Sequence, residues 1–180
     1  MRTVRIGSSK RGNVIPIVSI VGHHDSGKTR LITQLIPILV ARGLRVGTVK
    51  HAPHLERIDV PGSDSAVHLK SGATRVLLRA EETSALFWPH HEKLATDIDR
   101  LFAGCDLVLV EGDKRGPFPK IEVFRRGLEV AREPLAGEVD VAGVVTEERV
   151  ALPDGVEVFS PHEGERIADF IETMAFGDRE

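Results

Sequence analysis

Gly22 to Thr29 reads G-H-H-D-S-G-K-T and meets every fixed position of the pattern G-x-x-x-x-G-K-[ST]. Such a loop holds polyphosphate for a physical reason. Its glycines let the chain curl until successive backbone N–H groups point inward, and the helix that follows adds the partial positive charge of its N-terminus. Lys28 then falls where an ammonium reaches the β- and γ-phosphates, and the Thr29 hydroxyl where it can ligate Mg²⁺. Gly22 and Gly27 supply the curl, while His23 and His24 can line the phosphate entrance as neutral imidazoles. A glycine turn with no ligand is the competing reading, and the strand before the loop and the helix after it argue against that. The segment predicts binding of a purine nucleotide through its phosphates.

A magnesium ion held at Thr29 needs an acidic group at the end of a neighbouring strand. Glu111, which closes L-V-L-V-E-G, is the first candidate. Asp59 and Asp64 in D-V-P-G-S-D are further candidates, with a turn and a helix cap as the equal alternative. Asp106 begins the same strand that Glu111 ends, so it belongs at the far edge of the sheet and reads as a solvated residue. Lys50 and His51 follow a second strand and, in a parallel sheet, share the edge of the phosphate loop; they read as a second anion contact or as a solvated strand end. Lys114, Arg115 and Lys120 in G-D-K-R-G-P-F-P-K offer the same pair of readings. Thr146 and Glu147 end a late strand, where the Glu147 carboxylate can accept from N1 and N2 of guanine. No N-K-x-D motif occurs, so the residues alone leave GTP and ATP both open.

Eight histidines invite a metal hypothesis, above all His51-x-x-His54 with the pairs His23-His24 and His90-His91. Adjacent histidines point apart on a strand, and the cysteine and carboxylate spacings of a closed site are absent. The spacing does not support a dedicated transition-metal site.

The elements that must position these residues are legible from periodicity. Val14 to Val21 is an apolar, β-branched run suited to a strand buried on both faces of a parallel sheet, with Pro16 near its start. Leu31, Ile32, Leu35, Ile36, Leu39 and Val40 recur at helical spacing, which predicts a helix from Lys28 to Arg42 with Gly43 at its C-terminal cap. Pro37 inside it predicts a kink, worth about 3 kcal/mol where nothing compensates. Strands are expected over Arg45–Lys50, Leu107–Val110, Ile121–Phe124, Val139–Val145 and Val156–Phe159, and a strand pair over Thr74–Leu78 and Ser84–Phe87. Helices are expected from Ser63 to Ser71, from Glu92 through Phe102, and from Pro161 to Ala175. This alternation predicts an α/β, P-loop NTPase-like fold, a mostly parallel sheet flanked by helices on both faces. Residues 1–13 read as a mobile N-terminal arm and 14–180 as one nucleotide-binding domain.

Composition narrows the partners. A formal charge of −3 with 28% charged residues gives no basic excess for gripping nucleic acid. One cysteine, Cys105, excludes a disulfide framework within the chain, and a reducing cytoplasm is expected. No apolar run approaches the roughly 20 residues that span a bilayer, so no membrane partner is expected.

Taken in order, the phosphate loop, L-I-P at Leu35–Pro37, T-V-K-H at Thr48–His51, D-V-P-G-S-D-S at Asp59–Ser65, L-V-L-V-E-G at Leu107–Gly112 and P-K-I-E-V-F-R at Pro119–Arg125 resemble the molybdopterin-guanine dinucleotide biosynthesis adapter family, MobB. The resemblance spans roughly Ile15 to Val145. It implies a SIMIBI-type fold, a homodimer, GTP with Mg²⁺ as ligands, and at most weak GTPase activity. It also implies a partner, the guanylyltransferase MobA, and leaves open whether molybdopterin touches this chain. Carried over by residue, phosphate binding falls on Gly22, Ser26, Gly27, Lys28 and Thr29, and magnesium on Thr29 with Glu111. Two departures stand out. His23, His24 and Asp25 replace a small or aromatic residue followed by glycine or serine, and Asp113 replaces an apolar residue. Two other classes share the loop: a small-molecule kinase, which needs an arginine-rich lid, and a metallochaperone GTPase, which the histidines suggest.

Overall fold

The computed structural model of the chain describes residues 14–55, 57–89, 94–126 and 133–177. Of the expected features, the arm at 1–13, the helix start at Glu92 and the His90-His91 pair lie outside them. The backbone forms two compact units, one from the described residues of Met1–His51 and Ile98–Glu180, the other from those of Ala52–Asp97.

The first unit is built on six parallel strands: β1 (Ile17–Val21), β2 (Val46–Lys50), β5 (Leu107–Glu111), β6 (Lys120–Val123), β7 (Gly143–Val145) and β8 (Glu157–Phe159). Their order is β2-β5-β1-β6-β7-β8. β1 is therefore central, and its neighbours are the strands ending at Glu111 and Val123. Alternate residues of these strands face opposite sides. Val18, Ile20, Leu107, Leu109 and Ile121 pack with α1 (Lys28–Ala41) and α4 (Gly164–Phe176) in the larger core. Val21, Phe124 and Val144 pack on the other side against Leu135 and Ala136 of a short 3₁₀ helix, Leu135–Gly137. On β2, Val46 packs against the larger core while Gly47 faces the other way, toward Phe102 just beyond α3 (Leu94–Leu101). Helices thus cover both faces, as the alternation of elements predicts.

α1 ends where its sequence directs. Gly43 takes φ 88°, the Gly43 N–H donates to Val40 O at 2.9 Å, and the Leu44 N–H donates to Leu39 O at 3.2 Å, a paired cap that satisfies two terminal carbonyls. The helix runs without a break across Pro37, which sits on its exposed side.

β7 and α4 each depart from expectation by three residues or more. β7 is Gly143–Val145, much shorter than Val139–Val145; Val139 and Val141 alternate like strand residues but join the second core from a loop. α4 starts at Gly164, three residues after Pro161, because Ser160 to Glu163 forms a turn in which the Ser160 N–H donates to the Glu163 carboxylate at 2.6 Å.

In the second unit, Ser63 caps α2 (Asp64–Lys70) by accepting from the Ala66 N–H, and β3 (Val76–Arg79) pairs antiparallel with β4 (Ser84–Phe87).

Candidate functional site

The loop Gly22–Thr29 leaves the C-terminal end of β1 and opens α1, the place where ligands bind in open α/β sheets. Gly22 has φ 149°, and a Cβ there would stand 2.4 Å from Val123 O and 2.6 Å from the Ser26 hydroxyl oxygen. No side chain fits, so the loop must begin with glycine. Gly27, at φ 102°, turns the chain into the helix. Asp25 is one of two described non-glycine residues with positive φ, at 58°.

Lys28 folds back over the loop, and its ammonium donates to the carbonyls of His23 at 2.5 Å and Gly22 at 3.3 Å. Burial lowers its pKa below the ordinary lysine range; Glu111 pulls it up, and Lys114 lowers it further. Ser26 is buried, and its hydroxyl has no hydrogen-bond partner. An orphaned hydroxyl inside a loop of inward amides leaves polar capacity for an anionic ligand.

Thr29 and Glu111 come together across two strands. The Thr29 hydroxyl donates to Glu111 Oε1 at 2.9 Å, and the Lys50 ammonium lies 3.9 Å from the same oxygen. β1 and β5 are register neighbours, with Ile20 opposite Glu111, so the carboxylate is delivered to the mouth of the loop by strand pairing alone. A hydroxyl and a carboxylate oxygen in contact are the hard oxygen donors a magnesium ion takes, with water completing its shell. His51 follows Lys50 at this edge, and its N–H donates to Glu111 O at 2.9 Å.

The remaining candidates are less tightly held to the Thr29–Glu111 pair. Glu147 stands past the end of β7, two strands from β1 and so about 10 Å away across the sheet. It is exposed and lies 3.1 Å from His162. His24 and Asp25 are exposed at the loop tip, 3.2 Å apart. Asp59 lies in the second unit, where its carboxylate accepts from the hydroxyls of Ser63 at 3.0 Å and Ser65 at 2.6 Å and from the Val60 N–H. Those bonds hold its pKa below the usual carboxylate range, Ser65 contributing most.

Lys120, read either as an anion contact or as solvated, and Asp106, read as solvated, both have protein partners. Lys120 is buried as the first residue of β6, opposite Ser19, and its ammonium donates to Phe118 O at 2.8 Å. Lys114 and Arg115 remain exposed on the loop. Asp106 clamps Arg45, accepting from its backbone N–H, Nε and Nη2 at 2.8 to 2.9 Å and tying the start of β2 to the start of β5. Among the described residues, no group of three histidine, cysteine, aspartate or glutamate side chains stands close enough to hold a metal ion.

Sequence reading passed over Glu122. It is fully buried in β6 and accepts from the consecutive N–H groups of Leu135 at 2.8 Å and Ala136 at 3.0 Å. Its signal was an acid inside the apolar run I-E-V-F, where only a paired carboxylate is tolerated.

A central strand running into a glycine loop, a lysine and threonine behind it and a carboxylate from the adjacent strand together define an α/β protein of the P-loop type. The family model MobB, described as molybdopterin guanine dinucleotide synthesis protein B, matches residues 17–147. The chain belongs to this family. It is 34% identical over 165 residues to the molybdopterin-guanine dinucleotide biosynthesis adapter protein of Haemophilus influenzae, covering 89% of each chain. With the Escherichia coli protein of the same name it shares 32% over 163 residues, 88% of this chain and 92% of the other. Among solved structures, molybdopterin-guanine biosynthesis protein B (mobB) is 33% identical with TM-score 0.65, covering 87% of this chain and 98% of that one. Bacillus subtilis MobB, at 23% identity, shares the fold with TM-score 0.67 over 91% of this chain and 99% of that one.

Proposed function

We propose that this chain is a GTP-binding adapter in molybdenum cofactor biosynthesis, which assists the guanylyltransferase MobA in converting molybdopterin to molybdopterin guanine dinucleotide. The adapter role in molybdopterin guanine dinucleotide synthesis follows from the family. The observation that carries the nucleotide reading is the Thr29–Glu111 hydrogen bond at the mouth of the phosphate loop. Lys28 and the backbone amides of Gly22 to Thr29 would hold the phosphates, and Thr29 and Glu111 the magnesium, whose charge would offset that of the phosphates. Lys50, His51 and Lys114 add positive or neutral donors beside the loop and suit a second anionic group, with molybdopterin phosphate as one ligand of that kind. Glu147 is proposed to read the guanine edge. The protein acts as a cytoplasmic homodimer and hydrolyses GTP weakly at most, since no glutamine or arginine motif for orienting an attacking water is evident in the sequence.

Calorimetry with GTP, ATP and Mg²⁺, followed by a pull-down with the transferase, tests the proposal. Lys28→Ala should weaken GTP binding roughly 10- to 100-fold, the usual cost of a charged hydrogen bond, with an unchanged melting curve. Undiminished affinity in that variant would sink the phosphate-loop assignment. Glu111→Ala should cost roughly 10- to 100-fold in the magnesium-dependent part of binding, and equal loss with and without Mg²⁺ would remove Glu111 from the metal site.

A further inference from the structure

The structure points to Glu122 as a positioning residue for the phosphate loop, and this inference rests on the nucleotide-binding reading above. We propose that Glu122 holds a backbone strap which grips His23 and so sets how firmly the loop retains nucleotide. His23 directly follows Gly22, and its Nε2 lies 3.0 Å from the backbone carbonyl of Glu133, 110 residues away in sequence. A carbonyl only accepts, so Nε2 carries the hydrogen and the imidazole donates across the mouth of the loop. The strap is fixed immediately downstream. Pro134 at φ −58° stiffens it, and the next two N–H groups, Leu135 and Ala136, are both bound by the two oxygens of the Glu122 carboxylate. Glu122 itself cannot shift, because β6 is held on one side by β1 and on the other by β7, with Val21 and Val144 as its register partners.

This arrangement continues into the loop. The His23 carbonyl accepts from Lys28 Nζ, and the Ser26 N–H approaches it at 3.4 Å. The same residue therefore joins the strap through its ring and the phosphate-binding lysine through its backbone. A buried carboxylate spent on two amides is strongly directional, and its burial excludes the water that would otherwise compete for those amides. An acid at position 122 only for local capping would need no reach to the loop. The His23 contact with the residue just ahead of the capped turn is what turns a cap into a strap.

The test is release of a fluorescent GTP analogue, measured by stopped flow in the presence of Mg²⁺, for the full chain and for Glu122→Gln, His23→Ala and the double variant. Each single change should speed release about fivefold, a typical coupling for groups in one network. The double variant should be no faster than the faster single, because both break the same strap. Multiplicative effects, or wild-type release in Glu122→Gln with an intact melting curve, would overturn the role of Glu122. If Glu122→Gln does not fold, Pro134→Gly loosens the strap without disturbing the buried carboxylate and must show the same non-additivity with His23→Ala. A chain that fails to bind the analogue, or Lys28→Ala binding it undiminished, would instead overturn the nucleotide reading and the inference with it.

Discussion

Asp25 sits at the tip of the phosphate loop at φ 58°, a left-handed conformation that costs a non-glycine residue about 1 to 2 kcal/mol. Aspartate tolerates that region better than most residues, which explains how the loop keeps its curl without a glycine here. The exposed carboxylate still stands beside Lys28 and favours its ammonium form. Any bound phosphate would meet that negative charge. Asp25→Gly should therefore bind GTP about fivefold more tightly at low salt, by Coulomb's law at high effective dielectric, and the gain should shrink as salt screens it. Titration of the variant at two ionic strengths checks this; a salt-independent gain would assign the effect to relieved backbone strain. Glu111 shows the opposite economy of placement. One carboxylate oxygen accepts from Thr29 and lies near Lys50, so a single residue links loop, metal candidate and second strand.

At the scale of elements, the sheet is fastened at its far edge by Arg45 and Asp106. The Arg45 hydrogen bonds hold the Asp106 carboxyl below its usual value of 3.8. A depressed folded value means that the stabilisation is present above the unfolded value and is lost as pH falls through the folded one. Asp106→Asn should lower the melting temperature at neutral pH and flatten its fall in acid, which melting curves between pH 2 and 7 would show. On β2, a Cβ at Gly47 would meet the Phe102 ring at 2.4 Å and the Cys105 sulfur at 3.2 Å. Gly47→Ala should cost about 1 to 3 kcal/mol through overpacking, and Phe102→Leu in the same chain should recover part of it; denaturant titrations of the three variants measure both. These elements differ in how far the sequence exposes them. α1, β1, β5 and the Gly43 cap announce themselves, because periodicity and glycine placement are local. The meeting of Thr29 with Glu111 was legible too, since parallel strands end at one edge. The extent of β7 was not, because Val139 and Val141 keep a strand's alternation while burying their side chains from a loop. The partners of Asp106 and Lys120 were not legible, because Arg45 and the Phe118 carbonyl are brought to them by pairing and chain reversal, not by neighbouring residue types. Glu122 escaped for the same reason: its amide partners arrive from a segment 13 residues on.

Across the whole molecule, the apolar surface is unevenly spread. Of the large hydrophobic residues that stay exposed, Leu55, Ile58, Val60, Val67, Leu77 and Leu78 all belong to the unit Ala52–Asp97. Successive residues on a strand face opposite sides, so Leu77 and Leu78, 59% and 54% exposed, put an exposed leucine on each face of the β3–β4 hairpin. A two-stranded hairpin is marginally stable alone in water, and exposed apolar area of this kind usually marks an association surface. In the proposed homodimer, a second copy whose hairpin met the first would supply such a cover. Leu77→Asp and Leu78→Asp should each shift the protein from dimer to monomer in sedimentation equilibrium. Both variants should keep the β1-to-α1 phosphate loop and the Thr29–Glu111 pair, which lie in the other unit, and so should still bind GTP when assayed by calorimetry. A wild-type chain that sediments as a monomer, or aspartate variants that stay dimeric, would move the dimer contact away from this hairpin. Loss of GTP binding on dissociation would show that each phosphate site depends on the second copy.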